Sequence, residues 1–260
     1  MAHLLTFLSD FGTADTYVGQ VKGAVLAICP DAAIVDLTHE VPRQDVRAGA
    51  FHLWAAAEAF APGAVHLAVV DPGVGGPRRA IAIATRRGDL LVGPDNGLLL
   101  PAALRLGGVA GAVSLEEAAF FRPRVSATFH GRDLFGPAAA HLLCGVALAA
   151  LGPAAAGLAE PFSFPRPGQK GDRAAGEVIH VDGYGNLVTN LDAGLAAGAT
   201  AVRIRGREIP LRRFYAEVDS GSLVALAGSA GMLEVAVRDG DAAAALEARA
   251  GDAVELVPGR

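Results

Sequence analysis

The stretch AVHLAVVD at residues 64–71 is a nearly continuous apolar run that ends on an aspartate. Such a run is typical of a strand that is covered on both faces of a parallel sheet. The residues that follow it, PGVGG at 72–76, have the composition of a tight turn. We therefore predict a central strand that delivers Asp71 to its carboxyl end.

The chain on either side of this strand alternates between strand and helix patterns. The predicted elements are, in order, a strand (HLLTFLS, 3–9), a helix (17–29), a strand (AAIVDLTH, 32–39), a helix (45–60) and, after the central strand, two more strands (AIAIAT, 80–85; LLVGPDN, 90–96). This order predicts an α/β domain with a mostly parallel sheet, in which ligands bind beyond the carboxyl ends of strands. Asp10 and Asp71 both follow such ends.

An uncharged, alanine-rich stretch covers residues 134–158. It is long enough for a membrane span, but Pro137, Pro153, several glycines and His141 interrupt it. We predict a buried helix here and no association with a membrane.

The sequence changes character after the alanine-rich stretch. Residues 161–175 are rich in Pro and Gly, which predicts a linker, and short β-like runs follow between Gly- and Asp-containing turns. The predicted organisation is an N-terminal α/β domain at 1–160, a linker at 161–175 and a smaller all-β, barrel-like domain at 176–260.

Charge and cysteine content narrow the class of protein. A formal net charge of -5 argues against a nucleic-acid partner, because phosphate binding needs excess positive charge. Cys29 and Cys144 are the only cysteines, which predicts neither a disulfide framework nor a cysteine metal site. The histidines other than His130 show no metal-ligand spacing. The N-terminus has no basic region of a signal peptide. We expect a soluble, cytoplasmic protein.

Several general catalytic motifs are absent from the sequence. It contains no G-x-G-x-x-G dinucleotide fingerprint, no phosphate-binding loop and no H-E-x-x-H metal motif. Ser229 lies in AGSAG, where Ala227 replaces the first glycine of a nucleophile elbow, so a serine hydrolase is not supported.

The first candidate cluster is LSDFGTAD, residues 8–15, at the end of the first predicted strand. An ionised Asp10 can accept hydrogen bonds from both hydroxyls of a ribose. Alternatively, Asp10 or Asp15 caps the helix that follows.

The second cluster is VVDPGVGGPRR, residues 69–79. Its glycines allow the backbone to approach a ligand, and Arg78 can pair with Asp71 to hold an ionised carboxylate in a site. A structural turn with a surface ion pair explains the same residues.

The third cluster is TFHGRDLFGP, residues 128–137. His130 is a candidate for proton transfer near neutral pH, since the histidine pKa lies in that range. A structural histidine and an N-cap at Asp133 form the alternative interpretation.

The fourth cluster lies in the β domain, in HVDGYGNLVTN (180–190), RRFYAEVDSG (212–221) and GSAGMLEVAV (228–237). Tyr184 and Tyr215 are suited to stacking on a purine, and Asn186 can donate to and accept from its edge. Turn formation by DGYGN is the simpler explanation of that string.

Together, LSDFG, VDPGVG, TFHGRD, D-x-Y-G-N-x-x-T-N and GSAGMLEVAV resemble the S-adenosylmethionine hydroxide adenosyltransferase family, the S-adenosylmethionine hydrolases related to fluorinase and chlorinase. The resemblance extends from Leu4 to about Leu246. It implies an N-terminal α/β domain, a C-terminal β domain and a homotrimer whose active sites each use two neighbouring subunits. It also implies that Asp71, Arg78 and His130 hold and polarise the attacking water.

The resemblance further implies roles in substrate binding. Asp10 matches the residue that grips the ribose hydroxyls. The others fall on positions that hold the methionine ammonium and carboxylate (Asp15, Asp182, Ser229) or the adenine ring (Tyr184, Asn186, Tyr215, and the backbone around Glu234 and Val237).

The halogenating relatives differ at the nucleophile. They carry a neutral aromatic residue in place of Asp71, and the fluorinating enzyme offers a serine in place of Gly131. Because a carboxylate repels halide, we expect water or hydroxide to attack here. Ala230 replaces an arginine of the halogenating enzymes, which leaves recognition of the methionine carboxylate to Ser229 and backbone amides.

The function implied is hydrolysis of S-adenosyl-L-methionine to adenosine and L-methionine by in-line attack at C5′, with no cofactor and no metal. Two alternatives remain open. One is a transferase that uses chloride or another halide, and the other is a module that binds adenosine or S-adenosylmethionine without turnover.

Overall fold

The computed structural model of the chain describes residues 3–160, 168–170 and 173–259. The chain forms two compact units, Met1–Phe162 and Ser163–Arg260. The predicted linker at 161–175 falls largely outside the described residues. Its described parts, 168–170 and 173–175, belong to strands.

The first unit contains a six-stranded sheet with the order β2-β1-β3-β5-β4-β6. Its strands are β1 (Leu4–Ser9), β2 (Ala33–Thr38), β3 (Val65–Val69), β4 (Ala80–Thr85), β5 (Leu90–Pro94) and β6 (Val109–Ser114). β1 pairs in parallel with β2 and β3, and β3 pairs in parallel with β5, whereas β4 is antiparallel to both of its neighbours. The predicted α/β class is confirmed.

The helices of this unit are α1 (Tyr17–Leu26), α2 (Val46–Ala57), α3 (Leu100–Arg105) and α4 (Gly136–Leu143), with a π-helical turn at Gly131–Phe135 directly before α4. Single 3₁₀ turns lie at Ala118–Phe120 and Leu148–Leu151. α1 and α4 pack together on a core that includes Leu5, Phe7 and Leu67. Every residue of β3 is buried, as its apolar sequence predicts.

The long alanine-rich helix predicted at 134–158 is wrong in extent. Only α4 is α-helical there, and it ends at Leu143. Gly145 adopts φ 89°, a left-handed conformation that ends a helix, and the chain then continues in turns. Among the described residues, no helix is long and apolar enough to cross a membrane.

The second unit is an antiparallel sheet with the order β11-β10-β14-β8-β9-β13-β12, and β7 pairs with β8. The elements are β7 (Gly168–Lys170), β8 (Arg173–Val181), β9 (Leu187–Asp192), β10 (Ala199–Ile204), β11 (Arg207–Pro210), β12 (Leu223–Ala227), β13 (Met232–Val237), α5 (Ala242–Leu246) and β14 (Ala253–Pro258), with 3₁₀ turns at Ala193–Ala196 and Tyr215–Glu217. A bridge between Leu211 and Ala225 brings the two edges of the sheet together. The sheet is therefore nearly closed, in agreement with the predicted barrel-like domain.

The sequence interpretation missed α3, β6, β7, β11 and α5. The signal for β11 is the Arg205–Gly206 pair, in which both residues have positive φ (49° and 74°), as in the two-residue turn of a β-hairpin. Such a turn requires a partner strand directly after β10.

Candidate active site

The carboxyl ends of β1 and β3 place two aspartates at the same edge of the sheet. Ser9 pairs with Val69 in the parallel register, so Asp10 and Asp71 follow neighbouring strand ends. Both line a cavity of about 200 Å³ that also receives His130. The sheet topology thus brings together three residues that are far apart in the sequence.

Asp71 and Arg78 form a closely bonded ion pair inside the turn that follows β3. Arg78 Nε lies 3.0 Å from each Asp71 carboxylate oxygen, and Nη2 lies 2.5 Å from Oδ2. The side chains are only 5% and 12% exposed. The guanidinium also lies over the buried ring of Phe135, at 5.2 Å from its centroid. The two side chains are therefore largely shielded from solvent, unlike those of a surface ion pair.

His130 joins this pair through the same guanidinium. Arg78 Nη2 lies 2.7 Å from His130 Nδ1, and because a guanidinium only donates, Nδ1 accepts. Burial and the positive charge of Arg78 lower the pKa of His130, against the opposite effect of Asp71 and Asp133. The geometry therefore favours a neutral imidazole whose proton is on Nε2.

A glycine lets the Asp71 turn approach the segment that carries His130. Gly75 has φ 74°, and a Cβ atom there would lie 2.3 Å from the carbonyl oxygen of Ala127. Any side chain at this position would push the two loops apart. The glycine predicted to allow close backbone approach serves that purpose against protein rather than against a ligand.

The neighbouring Arg79 has a different partner. Its guanidinium pairs with Asp95 at 2.5 Å and donates to the carbonyls of Ala156 and Gly157. Arg79 thus connects β4 and β5 to the chain near residue 157, whereas Arg78 bonds to two side chains that line the cavity.

Asp133 holds the loop before His130. It is fully buried, accepts the amide of Ser126 at 2.9 Å and pairs with Arg132 at 2.7 Å. Burial opposes its ionisation, yet these donors keep the pKa of Asp133 below its ordinary value. The alternative interpretation as an N-cap is wrong, because α4 begins at Gly136 and Asp133 lies within the π-helical turn.

A larger groove of about 690 Å³ adjoins the cavity at Asp10. Asp15 lines it, together with residues that the sequence did not single out: Phe11, Tyr17, Gln20, Arg43, Gln44, Ser126, Thr128, Phe129 and Arg132. The alternative role of Asp10 or Asp15 as a helix cap is not observed, because Thr16 is the N-cap of α1 and makes no side-chain capping bond.

Gln44 is the most informative of the missed residues. It lines both the cavity and the groove, and its backbone amide donates a hydrogen bond to Asp10 Oδ2 at 2.8 Å. Its φ of 64° is unusual for a residue other than glycine, and such residues are often found at functional sites. No sequence pattern reveals this conformation. The only nearby feature visible in the sequence is Asp45, a typical N-cap residue, which caps α2 by accepting a hydrogen bond from the backbone amide of Ala48.

The second unit brings together most of the predicted adenine-binding residues. Tyr184, Asn186, Tyr215 and Val237 line a cavity of about 490 Å³, and Tyr184 is 82% exposed. Two aromatic faces beside an amide are suited to a flat, polar ring such as a purine.

Glu234 lies behind Tyr215 and is buried. The Tyr215 hydroxyl donates to Glu234 Oε1. Burial raises the pKa of Glu234, and the nearby charge of Asp182 acts in the same direction, whereas the Tyr215 hydrogen bond opposes them. The sequence had pointed only to the backbone around Glu234. The structure adds its carboxylate as a support for the tyrosine ring.

Asp182 and Asn186 build the turn in DGYGN. Asp182 Oδ1 accepts the amides of Tyr184 and Asn186 at 2.9 Å, and its Oδ2 accepts from the Asn186 side chain at 3.0 Å. The turn interpretation of this string is therefore correct. Asn186 also lines the cavity of the second unit.

Ser229 lies in the exposed hairpin turn between β12 and β13. Among the described residues, neither Ser229 nor Asp182 lines the cavity of the second unit. Their assignment to the methionine end of a substrate remains a prediction. No group of three or more His, Cys, Asp or Glu residues in the described part of the chain could hold a metal ion.

Comparison with known proteins identifies the family. The profile described as SAM hydroxide adenosyltransferase N-terminal domain matches residues 5–152, and the corresponding C-terminal domain profile matches residues 176–255. The chain belongs to the SAM hydroxide adenosyltransferase family. The candidate cavity with Asp71, Arg78 and His130 lies in the family's N-terminal domain, and the aromatic cavity lies in its C-terminal domain.

Members and relatives of this family match the chain over nearly its whole length. A protein from Salinispora arenicola named (R)-S-adenosyl-L-methionine hydrolase is 42% identical, with 98% of each chain covered. A crystal structure of an uncharacterized conserved protein from Thermotoga maritima has a TM-score of 0.91 and 36% identity, over 97% of this chain and 99% of that one. A fluorinase from Nocardia brasiliensis is more distant, at 27% identity over 98% and 97% of the two chains.

Proposed function

We propose that this chain hydrolyses S-adenosyl-L-methionine to adenosine and L-methionine, without a cofactor or metal. The observation that carries the proposal is the hydrogen-bonded Asp71–Arg78–His130 cluster, in which Asp71 and His130 line one cavity with Asp10. The full-length similarity to a protein named (R)-S-adenosyl-L-methionine hydrolase supports the same reaction.

The leaving group needs no catalytic assistance from the protein. The sulfonium departs as a neutral thioether when the C5′–S bond breaks, so its sulfur takes the bonding electron pair and needs no proton. The demand is on the nucleophile, because water has a pKa of about 15.7 and must be oriented in line with the bond. The attacking water forms the C5′–O bond and releases one proton.

The cluster can orient such a water. Asp71 is an acceptor for a water proton, and His130, with Nδ1 occupied by Arg78, has its Nε2 proton to donate to the water oxygen. Arg78 holds both side chains and adds positive charge beside developing hydroxide. Asp71 is too weak a base to remove the proton before attack, so we place proton loss together with C–O bond formation.

The remaining predicted residues would bind the substrate. Asp10 would accept from the ribose hydroxyls, Tyr184, Asn186 and Tyr215 would hold the adenine together with the backbone near Glu234 and Val237, and Asp15, Asp182 and Ser229 would hold the methionine end. We further propose a cytoplasmic homotrimer in which two neighbouring subunits share each active site. Light scattering of the purified chain tests the trimer, which a monomeric mass would refute.

Turnover is tested by incubating the protein with S-adenosyl-L-methionine and separating the products by chromatography. We expect equal amounts of adenosine and methionine from the wild type, and a loss of at least about 100-fold in Asp71→Asn. Asp95→Asn is the matched control, because it neutralises the aspartate of the neighbouring Arg79 pair outside the cavity. If no adenosine accumulates above the Asp71→Asn background, the proposal is wrong.

The halide alternative is an outcome of the same assay. With chloride or fluoride present, a transferase would yield a 5′-halo-5′-deoxyadenosine, identified by mass. The structure argues against it, since Asp71 places a carboxylate in the cavity and a Cβ atom on Gly131 would lie 3.2 Å from the Phe11 ring. Phe11 thus crowds the space that a serine at 131 would need. Adenosine binding by calorimetry without any turnover would indicate the non-catalytic module instead.

A further inference from the structure

His39 is a buried histidine that contacts the chain on both sides of Asp10. Its Nδ1 lies 2.8 Å from the hydroxyl of Ser9, the residue before Asp10. Its carbonyl accepts the amide of Gly12 at 2.7 Å, two residues after Asp10. Ser9 is fully buried and His39 nearly so. The short segment that presents Asp10 to the cavity is therefore held by one residue from another loop.

His39 is itself held in place by charged neighbours. Its Nε2 lies 3.1 Å from Asp36 Oδ1, and Asp36 Oδ2 lies 2.5 Å from the Lys22 ammonium. Although partial burial opposes ionisation, Lys22 and His39 together lower the pKa of Asp36. With Ser9 donating to Nδ1, the ring proton is on Nε2, close to the Asp36 carboxylate but not aligned with it for a hydrogen bond.

The other end of the same loop contacts the Asp10 carboxylate directly. The backbone amide of Gln44 donates a hydrogen bond to Asp10 Oδ2, as described above. The loop from His39 to Gln44 thus fixes the backbone around Asp10 at one end and its side chain at the other. An ionised carboxylate retains acceptor capacity after one such bond, so Asp10 can still take up ligand hydroxyls.

We propose that His39 is a positioning residue for Asp10: through Ser9 and Gly12 it holds the Asp10 carboxylate where it can grip the ribose. The inference rests on the proposed function for the role of Asp10. Misplacing that carboxylate would weaken nucleoside binding and, because the ribose carries C5′, would also misalign the bond that breaks.

The first unit contains a matched control. His66 is also a buried histidine, and its Nδ1 lies 2.8 Å from the hydroxyl of Thr6 on the same strand, β1. Its Nε2 lies 3.8 Å from the buried Asp89. Thr6 is within the strand, however, and not next to Asp10. Replacing either histidine removes a similar hydroxyl–imidazole bond, but only His39 lies beside the site.

The experiment compares His39→Leu with His66→Leu in the full-length protein. Adenosine affinity is measured by calorimetry, turnover by chromatography, and folding by thermal unfolding, all near pH 8. We expect His39→Leu to weaken adenosine binding about tenfold and to lower kcat, and His66→Leu to change neither, although both lower the melting temperature. His39→Asn, whose amide can still bond to Ser9, should restore most of the affinity.

A double-mutant cycle with Asp10→Asn tests whether His39 acts through Asp10. We expect the double variant to bind adenosine no more weakly than Asp10→Asn alone, because the group that His39 positions is already lost. Additive losses, or equal effects of His39→Leu and His66→Leu, would overturn the inference. Should the wild type bind adenosine without turnover, hydrolysis is refuted and His39 is judged on affinity alone. If it neither binds adenosine nor turns over S-adenosyl-L-methionine, both proposals are wrong.

Discussion

The guanidinium of Arg78 donates a hydrogen bond to Nδ1 of His130 across 2.7 Å, although 52 residues separate them. A protonated imidazole would present an N–H to that guanidinium in place of a lone pair. The two groups can therefore stay together only while His130 is neutral. Protonation of His130 would therefore break its link to the Asp71–Arg78 pair.

The pH dependence of turnover follows from this contact. Burial and the charge of Arg78 lower the pKa of His130 below its ordinary 6.5, so the neutral form is retained down to mildly acidic pH. We expect kcat/KM to be constant near neutral pH and to fall at acidic pH, with an apparent pKa below 6.5. A pH profile measured in buffers of constant ionic strength tests this. An acidic limb centred above 6.5 would contradict the assigned role.

Arg78 and Arg79 provide a direct test of the cluster. We expect Arg78→Lys to reduce kcat by about 100-fold, because lysine cannot contact both Asp71 and His130 with the geometry of a guanidinium. Arg79→Lys, in the ion pair with Asp95, should change kcat by less than about threefold. Steady-state kinetics of the two variants decides the matter, and similar losses would show that the effect is structural.

Tyr215 is expected to need its hydroxyl as well as its ring. Tyr215→Phe keeps the aromatic face but loses the bond to Glu234, so the ring is less firmly held. We expect adenosine binding to weaken about fivefold. Glu234→Gln keeps a hydrogen-bond acceptor and should retain more of the affinity. Calorimetry on both variants tests whether Glu234→Gln binds adenosine more tightly than Tyr215→Phe. Unchanged binding by Tyr215→Phe would show that the hydrogen bond to Glu234 does not contribute to adenosine affinity.

His66 predicts an acid-sensitive fold. Burial lowers its pKa from 6.5 to about 4, with Arg87 acting in the same direction and Asp89 opposing. Below pH 6.5 the unfolded chain takes up a proton that the folded chain resists, so stability falls between pH 6.5 and 4. The difference corresponds to about 3 kcal/mol. Urea unfolding at pH 7 and pH 4 should show this loss, and His66→Gln should reduce it. An equal loss in the variant would point to other groups.

Much of the fold could be predicted because its signals are local. The apolar run at 64–71 and the shorter one at 3–9 form β3 and β1, and both strands end just before an aspartate. The alternation of strands and helices was sufficient for the α/β class. The helix expected at 134–158 failed because alanine content predicts helicity, whereas the backbone conformation of Gly145 ends the helix.

The candidate site was predictable as a set of residues but not as a geometry. Asp71, Arg78 and His130 stood out through the combination of five strings, and each alone had a structural explanation. Asp133 shows the limit of such inference, since the alternative interpretation as a helix cap is wrong and its carboxylate instead accepts the amide of Ser126. Gln44 and His39 gave no signal, because their contacts depend on a positive φ and on a loop folding against another strand.

The sequence by itself determined most of the strands, the carboxylates at the ends of β1 and β3, and the family. Those properties follow from short-range patterns of apolar and turn-forming residues. Only the tertiary structure decided that Arg78 bridges Asp71 and His130 while Arg79 turns to Asp95, and that His39 and Gln44 enclose Asp10. Hydrogen bonds between side chains depend on ångström-scale distances, and those distances are set by how distant loops pack on the sheet.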